Sequence, residues 1–134
     1  MGLRAFPVLH AKDVATVAAF YLKLGFKEFF RLPAPDGRAG YVGLRRDAAE
    51  LAVTTEQAPR MFAGVEPQPG PRHELFVYVE DVDSTVESLR EQGVTILREA
   101  TDMPWGERVA YLADPESNLI SLASAPAEGG PAPA

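Results

Sequence analysis

The 134-residue chain is predicted to be an α+β protein of two tandem βαβββ modules, whose eight strands form a curved cleft. Two observations predict this. A helical segment bounded by the same capping residues occurs twice, 68 positions apart. Each copy is also preceded by one apolar strand-like run and followed by three more. Residues 10–26 read HAKDVATVAAFYLKLGF and residues 78–94 read YVEDVDSTVESLREQGV, with twelve positions from Asp13 to Gly25 and twelve from Asp81 to Gly93.

The opening strand is read at Leu3–His10. Asp13 then caps a helix, because its side-chain oxygen can accept an orphan N–H and its charge suits the positive end of the dipole. Val14, Val17, Ala18, Tyr21 and Leu24 share one helical face. Gly25 can take the left-handed conformation that ends a helix. Three β-type segments follow at about Phe26–Arg31, Tyr41–Arg45 and Leu51–Thr54, with a turn at Pro35-Asp36-Gly37.

Residues 58–72, with Pro59, Pro67, Pro69 and Pro71, read as a linker between module one (1–57) and module two (73–124), with a short turn near Met61-Phe62. Module two repeats the scheme. A strand at Leu75–Val79 leads to the Asp81 cap, the helical face Val82, Val86 and Leu89, and the Gly93 stop. Strands follow at about Thr95–Arg98, Arg108–Leu112 and Leu119–Ala123, the last two joined by Asp114-Pro115-Glu116-Ser117-Asn118. Residues 125–134 are Pro, Gly, Ala and a single Glu, a composition that predicts a disordered tail. Residues 1–124 are thus expected to form one domain, each sheet covering one face with its helix and leaving the other to line the cleft.

The net charge of −6 argues against a nucleic-acid partner, because no basic face is available for phosphates. With no cysteine, disulfides, thiolate metal sites and cysteine nucleophiles are excluded. The start lacks the apolar run of a signal peptide and no segment could span a bilayer, so no membrane partner and a cytoplasmic location are expected. No Gly-rich phosphate loop and no Gly-x-Ser-x-Gly elbow occurs, and no catalytic residue is assigned. His10 and His73 are the only histidines; both read as surface or hydrogen-bonded residues. Arg45-Arg46-Asp47 and Arg60 read as solvated charges near turns.

The elements Asp13-Val14 through Leu24-Gly25-Phe26, Val79-Glu80-Asp81-Val82 through Gln92-Gly93-Val94, and Trp105-Gly106-Glu107-Arg108 with Asp114–Ile120 resemble the vicinal-oxygen-chelate superfamily. That superfamily includes glyoxalase I, bleomycin-resistance proteins, extradiol dioxygenases and fosfomycin-resistance enzymes. The resemblance covers about residues 3–124. It departs mildly at Glu116-Ser117, where the family commonly has Asp-Gly. It implies a divalent metal held by His, Glu or Gln at four places, which carry over here to Phe6, Ala52, Glu74 and Ser121. Only Glu74 is a competent ligand. His73 and Glu50 lie beside two of these places, but strand alternation is expected to turn them away. The metal site therefore reads as dismantled, and neither metal nor cofactor is expected.

The cleft is then expected to be apolar and aromatic. Phe6, Val8, His10 and Ala52 line it from module one, and Glu74, Phe76, Tyr78 and Ser121 from module two. Met103, Trp105 and Glu107 come to its rim. Tyr41 and Phe30 complete the wall, with Phe29 the alternative to Phe30. Aromatic walls stack on planar ligands, and Glu74 with help from Glu107 would fix an amine or guanidine. By resemblance to bleomycin-resistance proteins, the expected function is antibiotic resistance: a metal-free homodimer that captures a bulky aromatic, cationic natural product without changing it. The rival readings are a metal-dependent glyoxalase-type lyase or dioxygenase, a metal-independent enzyme with Glu74 as base, and an interaction module with a filled cleft.

Overall fold

The computed structural model describes residues 4–66, 68 and 73–124; the tail 125–134, Leu3 and prolines 67, 69 and 71 lie outside them. The chain divides into two compact units, Met1–Pro69 and Gly70–Ala134. Unit 1 holds β1 (Val8–Ala11), α1 (Val14–Leu22), β2 (Lys27–Pro33), β3 (Ala39–Arg46), β4 (Ala49–Thr55) and α2 (Ala58–Ala63). Unit 2 holds β5 (Glu74–Tyr78), α3 (Val82–Glu91), β6 (Thr95–Asp102), β7 (Arg108–Ala113) and β8 (Leu119–Ser124). The α+β class and the two βαβββ modules are as expected. Each sheet has four strands, in the orders β1-β4-β3-β2 and β5-β8-β7-β6. The first and last strands of each module pair in parallel, and the rest are antiparallel. No helix among the described residues is long and apolar enough to cross a membrane.

Both helix caps form as read: Asp13 accepts from Thr16 N–H at 3.1 Å and Asp81 from Ser84 N–H at 3.2 Å. Gly25 and Gly93 leave their helices with φ of 94° and 84°, conformations that favour glycine. Helix α1 buries Val14, Val17, Ala18 and Tyr21, and also Phe20. The Tyr21 ring meets Phe20 and Phe26 edge-on, at centroid separations of 5.0 and 6.0 Å. Helix α3 buries Val82, Val86 and Leu89, the three residues read as its face.

Two boundaries differ from the sequence reading. The opening strand starts at Val8, although the Pro7 carbonyl still accepts from Ala52 N–H at 3.0 Å. Pro7 has no N–H to give a ladder, so regular pairing begins after it. Residues 58–63 form a helix where a short turn was expected; Gly64 ends it at φ 67°, and Arg60 is paired with Glu66 rather than simply solvated.

The internal repeat extends to irregularities that spacing does not reveal. In β2 the register slips between Glu28 and Phe30, which face Leu44 and Gly43. In β6 it slips between Ile96 and Arg98, which face Leu112 and Tyr111. All four pairs of equivalent residues are 68 positions apart, so the bulge itself is duplicated. The offset grows to 69 in the last strand, where Ala52 faces Val8 and Gly43 while Ser121 faces Phe76 and Tyr111. The extra residue falls in the turn between β7 and β8.

That turn contains Ser117 at φ 65°, a left-handed conformation that costs a side-chain-bearing residue energy. Ser117→Gly should therefore stabilise the protein by about 0.5–1 kcal/mol, net of the freedom glycine adds to the unfolded chain. A raised urea midpoint at unchanged slope is the expected reading.

Candidate functional site

In unit 2, strand alternation sends Val77, Ile120, Leu122, Leu112 and Ala110 into the core. Glu74, Phe76 and Tyr78 take the opposite face of β5, and the ladder sets Phe76 beside Ser121 and Tyr111. Phe76 and Tyr78 are 40% and 43% exposed, and their rings lie 5.8 Å apart at 34°. Glu74 is not a lone carboxylate: Ser121 Oγ, wholly buried, donates to its Oε2 at 2.5 Å.

The segment before β7 makes a tight turn, with Met103 N–H donating to the Glu107 carbonyl at 2.8 Å and Gly106 N–H to the Met103 carbonyl at 2.9 Å. Gly106 has φ 99° there. Glu107 shares strand parity with Val109 and Tyr111, and so belongs to the face of Phe76 and Tyr78. It is not at a rim. Only 1% of Glu107 is exposed, and the Trp105 indole N–H donates to its Oε1 at 2.7 Å. Its Oε2 is buried and takes no hydrogen bond of ordinary length and angle. The Tyr78 hydroxyl is directed at this carboxylate, which holds the phenol proton on, so that Tyr78 ionises above the ordinary tyrosine range.

In unit 1 the face opposite the core carries Val8, Ala52, Gly43 and Phe30 in one row of the ladder. The next row is His10, Thr54, Tyr41 and Leu32. Sequence alternation left a choice between Phe29 and Phe30. The bulge removes it, because both side chains lie on this face. Phe30 meets the Tyr41 ring edge-on at 6.0 Å. The Phe29 ring crosses Gly43 so closely that a Cβ there would lie 3.0 Å from its Cζ. A larger residue at Gly43 would require the Phe29 ring to give way by a few tenths of an ångström.

Three charges of unit 1 were misread from sequence. The Arg45 guanidinium stacks on the Phe29 ring at 3.7 Å, and the neighbouring Arg46 Nε donates to the Leu24 carbonyl at 2.9 Å; neither is simply solvated. Glu50 does not turn away. It stands two residues from Ala52 and so shares its face, where it takes Arg4 (Nε–Oε1 3.2 Å) and Arg45 at 3.9 Å. Arg4 in turn lies 5.1 Å over the Phe6 ring. Lys27, Glu28, Phe29, Arg45 and Arg46 also border an open cavity of about 530 Å³ that no sequence signal marked.

The four metal positions implied by the resemblance can now be tested by their chemistry. Phe6 and Ala52 offer no lone pair. Glu74 and Ser121 offer a carboxylate and a hydroxyl already bonded to each other. Among the described residues no group of three or more His, Cys, Asp or Glu could hold an ion. His10 and His73 are exposed and stand apart from any such group. These residues do not fit a divalent metal.

Comparison with known proteins adds the family context. The profile of the glyoxalase/bleomycin resistance protein/dioxygenase superfamily matches residues 6–122. An uncharacterized protein of Mycobacterium bovis is 29% identical over 121 residues, which cover 87% of this chain and 79% of that protein. A glyoxalase-related enzyme from Fulvimarina pelagi superposes with a TM-score of 0.75 at 25% identity, covering 92% of this chain and 88% of the other. A family enzyme from Burkholderia phytofirmans does so with a TM-score of 0.75 at 21% identity, covering 89% and 95%.

Proposed function

The chain belongs to the glyoxalase/bleomycin resistance protein/dioxygenase superfamily, and on that premise we propose that it binds a bulky aromatic small molecule without a metal and releases it unchanged. The observation that carries this reading is the Glu74–Ser121 bond. It occupies the one competent donor among the four family positions with a serine hydroxyl. A Lewis-acid or oxygen-activating site needs several free oxygen or nitrogen donors on one ion. This donor set is better suited to hydrogen bonding than to coordination.

Beside that pair the unit 2 face offers rings rather than ligands. Covering the exposed parts of Phe76 and Tyr78, on the order of 150 Å², is worth about 4 kcal/mol before the costs of association. By the likeness to bleomycin-resistance proteins, the natural ligand is an antibiotic or related natural product, and protection comes from stoichiometric capture in the cytoplasm. Exposed Phe29, Phe30, Leu32, Phe62 and Phe76 also favour a homodimer, because unpartnered apolar surface promotes association.

Two measurements test the reading. Protein purified without chelator should carry well under one divalent ion per chain by elemental analysis. Titration with bleomycin and other planar aromatic natural products should shift the emission of Trp105, the single tryptophan, with the compound recovered intact by mass spectrometry. Retention of about one ion per chain, or consumption of the compound, would replace capture with the metal-dependent lyase or dioxygenase reading.

A further inference from the structure

We infer that the buried carboxylate of Glu107 anchors a cationic N–H group, an ammonium or guanidinium, of the molecule held on the unit 2 face. This rests on the reading of that face as a ligand site and adds the chemical class of the group it takes. Two carboxylates stand on the face, and their surroundings differ. Glu74 belongs to an exposed residue, where water competes for it, and its Oε2 is already taken by Ser121. Glu107 is withdrawn from water; one oxygen is satisfied by Trp105, and the other takes no hydrogen bond of ordinary length and angle, although the Tyr78 hydroxyl is directed at the carboxylate.

A carboxylate taken out of water keeps its charge cheaply only when a counter-charge and donors replace the lost hydration. Among the described residues no lysine or arginine forms an ion pair with Glu107. Trp105 contributes a donor but no charge. The group missing from this site is therefore a cation that also donates. A ligand hydroxyl would fill the vacant acceptor and leave the charge uncompensated.

The Trp105 indole is tethered to the carboxylate by its own N–H, and the Tyr78 hydroxyl is directed at it, so two aromatic residues flank the negative charge. Tyr78 is 43% exposed, so a ligand that reaches this carboxylate also meets its ring.

The test compares two molecules of one shape, 4-phenylbenzylamine and its neutral counterpart 4-phenylbenzyl alcohol, by isothermal titration calorimetry near neutral pH. The amine should bind the wild-type protein at least ten-fold more tightly. Glu107→Gln keeps an acceptor for Trp105 and removes the charge, so it should bring the two affinities within two-fold, chiefly by weakening the amine. Glu74→Gln should retain the preference. Equal binding of both molecules to the wild type, which needs no variant, would overturn the assignment to Glu107 and leave the aromatic face standing. Survival of the preference in Glu107→Gln would do the same. Failure of both molecules to bind at millimolar concentration would overturn the ligand-site reading, and the Glu107 assignment with it.

Discussion

Tyr21→Ala should lose about 3–5 kcal/mol of folding stability, a large share of what a domain of this size has to spare. Tyr21 is fully buried in α1, and its ring packs edge-on against Phe20 and Phe26. Truncation removes the apolar transfer energy of the ring and leaves a cavity that the rigid sheet beneath can fill only in part. Leu9, Ala11, Val42 and Val53 form that buried layer. Through it the helix holds the strands whose other faces carry Val8, His10, Tyr41 and Ala52. Urea unfolding followed by circular dichroism should show the loss, and Tyr21→Phe, which keeps the ring contacts, should lose far less. A cost under 1 kcal/mol for the alanine variant would show that this ring does not dock α1.

The second large effect is expected at Asp114, a buried acid on the turn between β7 and β8. Its Oδ1 accepts from the Glu116 and Asn118 amides, both at 2.8 Å, and its Oδ2 from Asn118 Nδ2 at 2.9 Å. Asp114→Ala deletes all three bonds at once and strands donors on Asn118, itself buried. Because unsatisfied buried donors keep their full desolvation cost, a loss of about 2–4 kcal/mol is expected. The site is linked to this turn. It leads directly into β8, which carries Ser121, so hydrogen exchange should speed up along β8 as well as at Asn118. An unchanged β8 in an otherwise destabilised protein would separate the turn from the site.

Much of the architecture could be read directly. Asp13, Asp81, Gly25 and Gly93 act within a few residues of themselves, through caps and left-handed stops, and all four behave as their chemistry dictates. Alternation likewise put Glu74, Phe76 and Tyr78 on one face of β5, with Val77 on the other. The reading failed where a strand departs from strict alternation. A one-residue slip in β2 brought Phe29 and Phe30 to the same side, and no pattern of apolar letters announces a bulge. A weak signal was available in Gly43, whose missing Cβ leaves room for the Phe29 ring.

From sequence alone came the duplicated module, the helix faces and the strand faces, because each depends on residue identity and short-range periodicity. Tertiary structure decided which polar groups are buried and what they meet. Ser121 reaches Glu74 across 47 positions of chain, Glu50 takes Arg4 across 46, and Glu107 is sealed from water instead of lying at an edge. The physical reason is that a carboxylate's solvation and partners are set by strand register and by neighbours distant in the chain. Local patterning determines only the side of the strand from which the carboxylate emerges.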